Sequence, residues 1–142
     1  MRRIAILAEG AFEWHYGKTA TGVIRYGKDP VVAVIDSTKA GMDVSQALNA
    51  SFGQGIPVVR DIHEALAYQP DTLLIGIAPQ GGNLPREWRW QLLAAIEAGL
   101  DIVSGLHMFL GEDEELRSAA EKRGVMIWDV RRPPDKRLVA SY

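Results

Sequence analysis

Five short apolar runs punctuate the chain, at residues 4–8, 31–35, 73–77, 102–104 and 125–128. They are rich in β-branched residues and do not alternate strictly with polar ones, the pattern of strands buried on both faces of a sheet. Between them the spacing turns helical. Trp88, Leu92 and Ile96 recur at i, i+4 and share a face, with Asn83 and Pro85 as start signals and Gly99 as the stop. A second helix opens on Glu112, Asp113, Glu114 and Glu115 and closes on Lys122, Arg123 and Gly124, a charge order that complements the helix dipole. A shorter one starts at Asp61, with Glu64 at capping-box spacing. Residues 18–26 place Ala20, Val23 and Ile24 on one face, with Gly27 after them.

Strand and helix in alternation, joined by right-handed crossovers, give a parallel sheet covered on both faces. The fold expected is a Rossmann-like doubly wound α/β domain. Its three α/β/α layers hold about five strands in the order 3-2-1-4-5. A length of 142 residues suits one such domain. Residues 1–130 are expected to form it. From Asp129 onward the composition changes to Arg131, Arg132, Pro133, Pro134, Lys136 and Arg137 before a brief apolar Leu138-Val139-Ala140. Residues 131–142 therefore read as a basic, Pro-containing tail or linker.

Composition removes several function classes. The net charge of -2 leaves no global field to attract nucleic acid or anionic lipid. There is no cysteine, which excludes disulfides, thiolate catalysis and cysteine-ligated zinc, and makes a reducing cytoplasm the expected location. No apolar run approaches the roughly 18 residues of a membrane helix. His15, His63 and His107 lack metal-ligand spacing, so no metal site is expected.

In an open α/β sheet, ligands gather at the carboxyl ends of the strands. After the first run come Glu9 and Gly10, an aromatic stretch, and then Gly17-Lys18-Thr19 opening a helix. Glycine lets a phosphate approach the backbone, and free N–H groups at a helix start favour an anion. The spacer from Gly10 to Gly17 is nevertheless two residues too long for a P-loop. The spacing from Gly22 to Gly27-Lys28 is right, but it precedes a strand. The second run ends in Asp36-Ser37-Thr38-Lys39-Ala40-Gly41. Asp36 suits a ribose hydroxyl or simply caps a turn, and Ser37, Thr38, Ala40 and Gly41 can line a phosphate. Pro79, Gly81 and Gly82 follow the third run, either as a ligand loop or as a plain turn. His107 follows the fourth as a candidate acid, base or positioning group. Trp88 and Trp90 read as packing or interface residues, and the missing G-x-G-x-x-G disfavours simple NAD binding.

Several motifs in order carry a family resemblance. They are Ala8-Glu9-Gly10, Gly17-Lys18-Thr19-Ala20, Ile24-Arg25-Tyr26, Val34-Ile35-Asp36-Ser37-Thr38-Lys39-Ala40-Gly41, Gly76-Ile77-Ala78-Pro79-Gln80-Gly81-Gly82 and Asp129-Val130-Arg131-Arg132-Pro133-Pro134. Together they resemble the N-terminal half of the D-glutamate N-acetyltransferase-like family, in which a Rossmann-like domain precedes a larger P-loop-NTPase-like one. Gly55-Ile56-Pro57-Val58 is similar, more distantly, to the CoA-binding domain of succinyl-CoA synthetase. The resemblance implies acetyl-CoA, CoA or another phosphate-bearing nucleotide as ligand. It also implies a P-loop-like partner domain and catalysis that is incomplete without it. From their places at the strand ends, His107 or Asp36 is the candidate general base. Two further readings stand beside it. One is a non-catalytic regulatory or homo-oligomerising module; the other is an NAD(P)-dependent oxidoreductase.

Overall fold

The computed structural model describes residues 2–10, 28–75, 84–105 and 109–130. Six strands among them form one sheet: β1 (Ile4–Leu7), β2 (Val31–Ile35), β3 (Val58–Val59), β4 (Thr72–Ile75), β5 (Asp101–Ser104) and β6 (Ile127–Asp129). All neighbours are parallel and the order is β3-β2-β1-β4-β5-β6. This is the Rossmann-like order expected, extended by a sixth strand. The third place belongs to Val58–Val59, a strand too short to announce itself by pattern. The apolar run at 73–77 thereby becomes the fourth strand, beside β1.

Every residue of β1 and β4 is buried, as apolar runs without alternation require. In register, Leu7 lies between Ile35 and Ile75, and Ile6 between Val34 and Leu74. The last strand starts later than the apolar run at 125–128. Met126 N donates to the Asp101 carboxylate at 2.8 Å and its carbonyl accepts from Ile102 N, and the regular ladder follows. The outer edge of β3 is not left open: Gly41 N donates to Val58 O, and Val58 N to Met42 O. The chain itself thus covers an edge that would otherwise invite pairing.

Four α-helices among the described residues pack around the sheet: α1 (Val44–Leu48), α2 (Ile62–Leu66), α3 (Arg86–Glu97) and α4 (Glu114–Arg123). The helix expected over residues 18–26 lies outside the described residues, as does Asn83. In α3 the predicted face is the buried one, with Trp88, Leu92 and Ile96 all nearly inaccessible. Gly99 and Gly124 follow α3 and α4 with positive φ, as helix stops do. Asp61 accepts from Glu64 N at 3.0 Å, and the Glu64 carboxylate returns to Arg60 N at 2.7 Å. The capping box at Asp61 is therefore present with its return bond one residue earlier than the standard form. A full capping box, unforeseen, starts α1: Asp43 and Gln46 exchange side-chain to backbone bonds.

Charge pairs fasten the helices to each other. Arg89 of α3 grips Asp113, the N-cap of α4, through two bonds of 2.7 and 3.1 Å, and reaches Glu115 at 2.9 Å. That guanidinium, with the N–H of Leu116 behind it, holds the Asp113 carboxyl below the usual carboxylate range. Asp129, at the end of β6, is buried and accepts from Leu110 N and Gly111 N at 2.8 and 2.9 Å. It fixes the turn that leads into α4. No described helix is long and apolar enough to cross a membrane.

Candidate functional site

The carboxyl ends of β1 and β2 are adjacent in the sheet, so the residues that leave them meet. Ala8 N donates to Ile35 O at 3.0 Å and carries the parallel ladder to its end. Beyond it two carboxylates cross. Asp36, from β2, accepts from Gly10 N at 3.1 Å. Glu9, from β1, accepts from Ser37 N at 2.8 Å and from the Ser37 hydroxyl. The two strand ends are clasped reciprocally.

Asp36 does more than bridge. It is fully buried. The same Oδ1 also accepts from Thr38 N at 3.0 Å and from the Thr38 hydroxyl at 2.6 Å, capping the 3-10 turn Ser37–Lys39. Asp36 thus caps the turn, and its Oδ1 accepts from three donors. Gly10, by contrast, is exposed at φ 73° and has open space where a Cβ would stand. Ser37 and Thr38 are exposed beside it, and Ala40 and Gly41 are exposed beyond the turn. The N–H groups of Gly10 and Ser37 are committed to protein carboxylates, so this corner favours hydroxyl or amide donors of a ligand over a naked phosphate.

A cleft of about 180 Å³ opens beside the clasp, lined by Glu9, Ser37, Arg60, Asp61, Glu87, Trp90 and Gln91. Gln91, on α3, is buried and its amide oxygen accepts from Ile62 N at 2.9 Å, which seats the start of α2 against α3. Trp90 remains 41% exposed. Its ring stacks on His63 of α2 with centroids 5.6 Å apart and planes 26° from parallel. The two tryptophans treated together in the sequence part company here: Trp88 is core, whereas Trp90 lies two residues on, on the opposite side of the helix. That phase was the available signal for the cleft. Arg60, Asp61, Glu87 and Gln91 gave none.

Gly17, Lys18, Thr19, Pro79, Gly81, Gly82 and His107 lie outside the described residues. The structure brings Glu9, Gly10, Asp36, Ser37 and Thr38 together, with Ala40 and Gly41 on the far side of the turn. Among the described residues no group of acidic and histidine side chains is placed to hold a metal ion.

Residues 37–133 match the family described as a domain of unknown function, DUF1611_N, a Rossmann-like domain. The chain belongs to this family. A solved DUF1611 family protein from Anabaena variabilis is 36% identical and superposes with a TM-score of 0.84, covering 96% of this chain and 39% of that one. Two curated proteins named D-glutamate N-acetyltransferase align over 72 residues, 51% of this chain. The Tritonibacter scottomollicae protein is 42% identical and the Pseudoalteromonas protein 39%. The alignments span only 22% of those relatives' lengths. A homoserine dehydrogenase from Thiobacillus denitrificans, 20% identical with a TM-score of 0.60 over 90% of this chain and 29% of its own, shares the fold.

Proposed function

We propose that this DUF1611_N domain is the nucleotide- or CoA-binding part of an acetyl-CoA-dependent D-amino-acid N-acetyltransferase, with its ligand on the rim where β1 and β2 end. The observation that carries the reading is the 42% identity to a D-glutamate N-acetyltransferase over 72 residues. In such a transfer the substrate amine attacks the thioester carbonyl. A C–N bond forms, the C–S bond breaks, CoA leaves as thiol, and a base takes the ammonium proton. Lys18 and Thr19, with Gly81 and Gly82, are the phosphate donors in this reading. Asp36 supports the rim as a positioning residue, since its buried carboxylate is filled by Gly10 and Thr38. His107 is the candidate base. A P-loop-like domain, in the same chain or a partner, completes the catalytic site.

The test is Lys18→Ala, with CoA binding followed by calorimetry. Losing a charge-assisted hydrogen bond weakens binding by about tenfold or more, with the melting temperature unchanged. Unchanged affinity in a variant of unchanged stability removes Lys18 from the site.

A further inference from the structure

The cleft beside the clasp has an aromatic wall that neither the fold nor the acetyl transfer requires. Trp90 sits on α3 opposite the face that Trp88, Leu92 and Ile96 bury, and it keeps 41% of its surface in contact with solvent. An indole needs no such position to stabilise a helix. Here it is held in a fixed attitude, because His63 reaches across from α2 and stacks on it at 5.6 Å. The helix that carries His63 is in turn pinned to α3 by the buried Ile62 N to Gln91 bond. The ring is thus an oriented platform, open to the cleft, a few residues from the ends of β1, β2 and β3.

The groups around it complete a recognisable chemistry. Glu87 and Glu9 line the cleft with acceptors for hydroxyl or amine donors. Arg60 lines it too, with 71% of its side chain exposed. The cleft, at about 180 Å³, is smaller than the roughly 300 Å³ or more of a complete small-molecule pocket. It suits one ring of a longer ligand.

We infer that the Trp90–His63 stack is the base-binding platform of this domain and takes the adenine ring of a nucleotide or of CoA, with the ribose hydroxyls toward Glu9 and Glu87 and the phosphates toward Arg60. The inference rests on the nucleotide reading above and adds to it the part of the ligand that is recognised. Stacking of a base on an aromatic ring is worth about 1–3 kcal/mol by alanine substitution, so Trp90→Ala weakens adenine-bearing ligands by about fivefold or more.

The experiment measures CoA, adenosine 3′,5′-bisphosphate and 4′-phosphopantetheine against the wild-type chain, Trp90→Ala and Trp90→Phe. Affinity for the two adenine compounds falls in W90A and is largely restored in W90F, while phosphopantetheine affinity is the same in all three. Adenosine bisphosphate also quenches tryptophan emission in the wild type, and W90F binds it without that quenching. Equal CoA affinity in the wild type and W90A overturns the platform and leaves the CoA reading standing. So does binding of phosphopantetheine with no affinity for adenosine bisphosphate. Trp90-dependent binding of adenosine bisphosphate without binding of CoA keeps the platform and removes the CoA reading. Absence of all binding removes both. If W90A proves unstable, the W90F quenching result decides alone: full quenching in W90F overturns the platform.

Discussion

Asp36→Ala lowers the unfolding free energy of this domain by about 3 kcal/mol, roughly a 10 °C fall in melting temperature for a chain of this size. The side chain is fully buried, and its carboxylate accepts from Gly10 N, Thr38 N and the Thr38 hydroxyl. Removing it leaves at least two backbone donors without their partner and unfastens one half of the clasp between β1 and β2. Hydrogen bonds to a charged group contribute about 1.5–3 kcal/mol each when intact, and losses within one network do not add. Asp36→Asn keeps an oxygen in the same place and loses less than half as much. Chemical denaturation of both variants checks this. Equal stability of wild type and alanine variant would mean that the carboxylate is held for a ligand and not for the fold.

Gly53→Ala acts at the other end of the sheet, in the loop before β3. Gly53 has φ 81°, where an L side chain is strained, and a Cβ there would stand 2.4 Å from Val44 Cγ1 and 2.8 Å from Val44 Cβ. Val44 opens α1 and is wholly buried, so it has nowhere to retreat. Left-handed backbone costs a side-chain-bearing residue about 1–2 kcal/mol, and overpacking about 1–3. We expect a loss of about 3 kcal/mol in denaturant titration, with ligand affinity of the folded fraction unchanged. Partial relief by Val44→Ala, which removes the Cγ1 contact and keeps the one to Cβ, would identify the clash as one part of the cause. A loss below about 0.5 kcal/mol would show that the loop relaxes freely.

The sheet was legible in the sequence because strands buried on both faces must be apolar throughout, and residues 4–8 and 31–35 satisfy that without ambiguity. Helix ends were legible where one residue does the work, as at Asp61, Gly99 and Gly124. Val58–Val59 escaped notice because two residues carry no period. So did α1, five residues long, although Asp43 and Gln46 hold its signature. The position of Asp36 at the rim could be read from the end of its strand. Its role as a clasp could not, because the bond to Gly10 joins residues 26 apart and exists only once β1 and β2 are in register. The cleft depends on the angle between α2 and α3, which no local pattern encodes. The roles proposed for Lys18, Gly81 and His107 rest on their motifs alone.

The CoA-type ligand proposed for this domain is open to a thermal-shift titration of the chain against CoA, acetyl-CoA, ATP, NAD and NADP. A ligand that binds only the folded state adds about 2.7 kcal/mol of stability at a hundredfold excess over its Kd. Melting temperatures are expected to climb with the logarithm of CoA and acetyl-CoA concentration, to rise less with ATP through its adenine, and to show no rise specific to the nicotinamide ring. A flat response to all five, or a rise with NAD or NADP that CoA does not match, would contradict it.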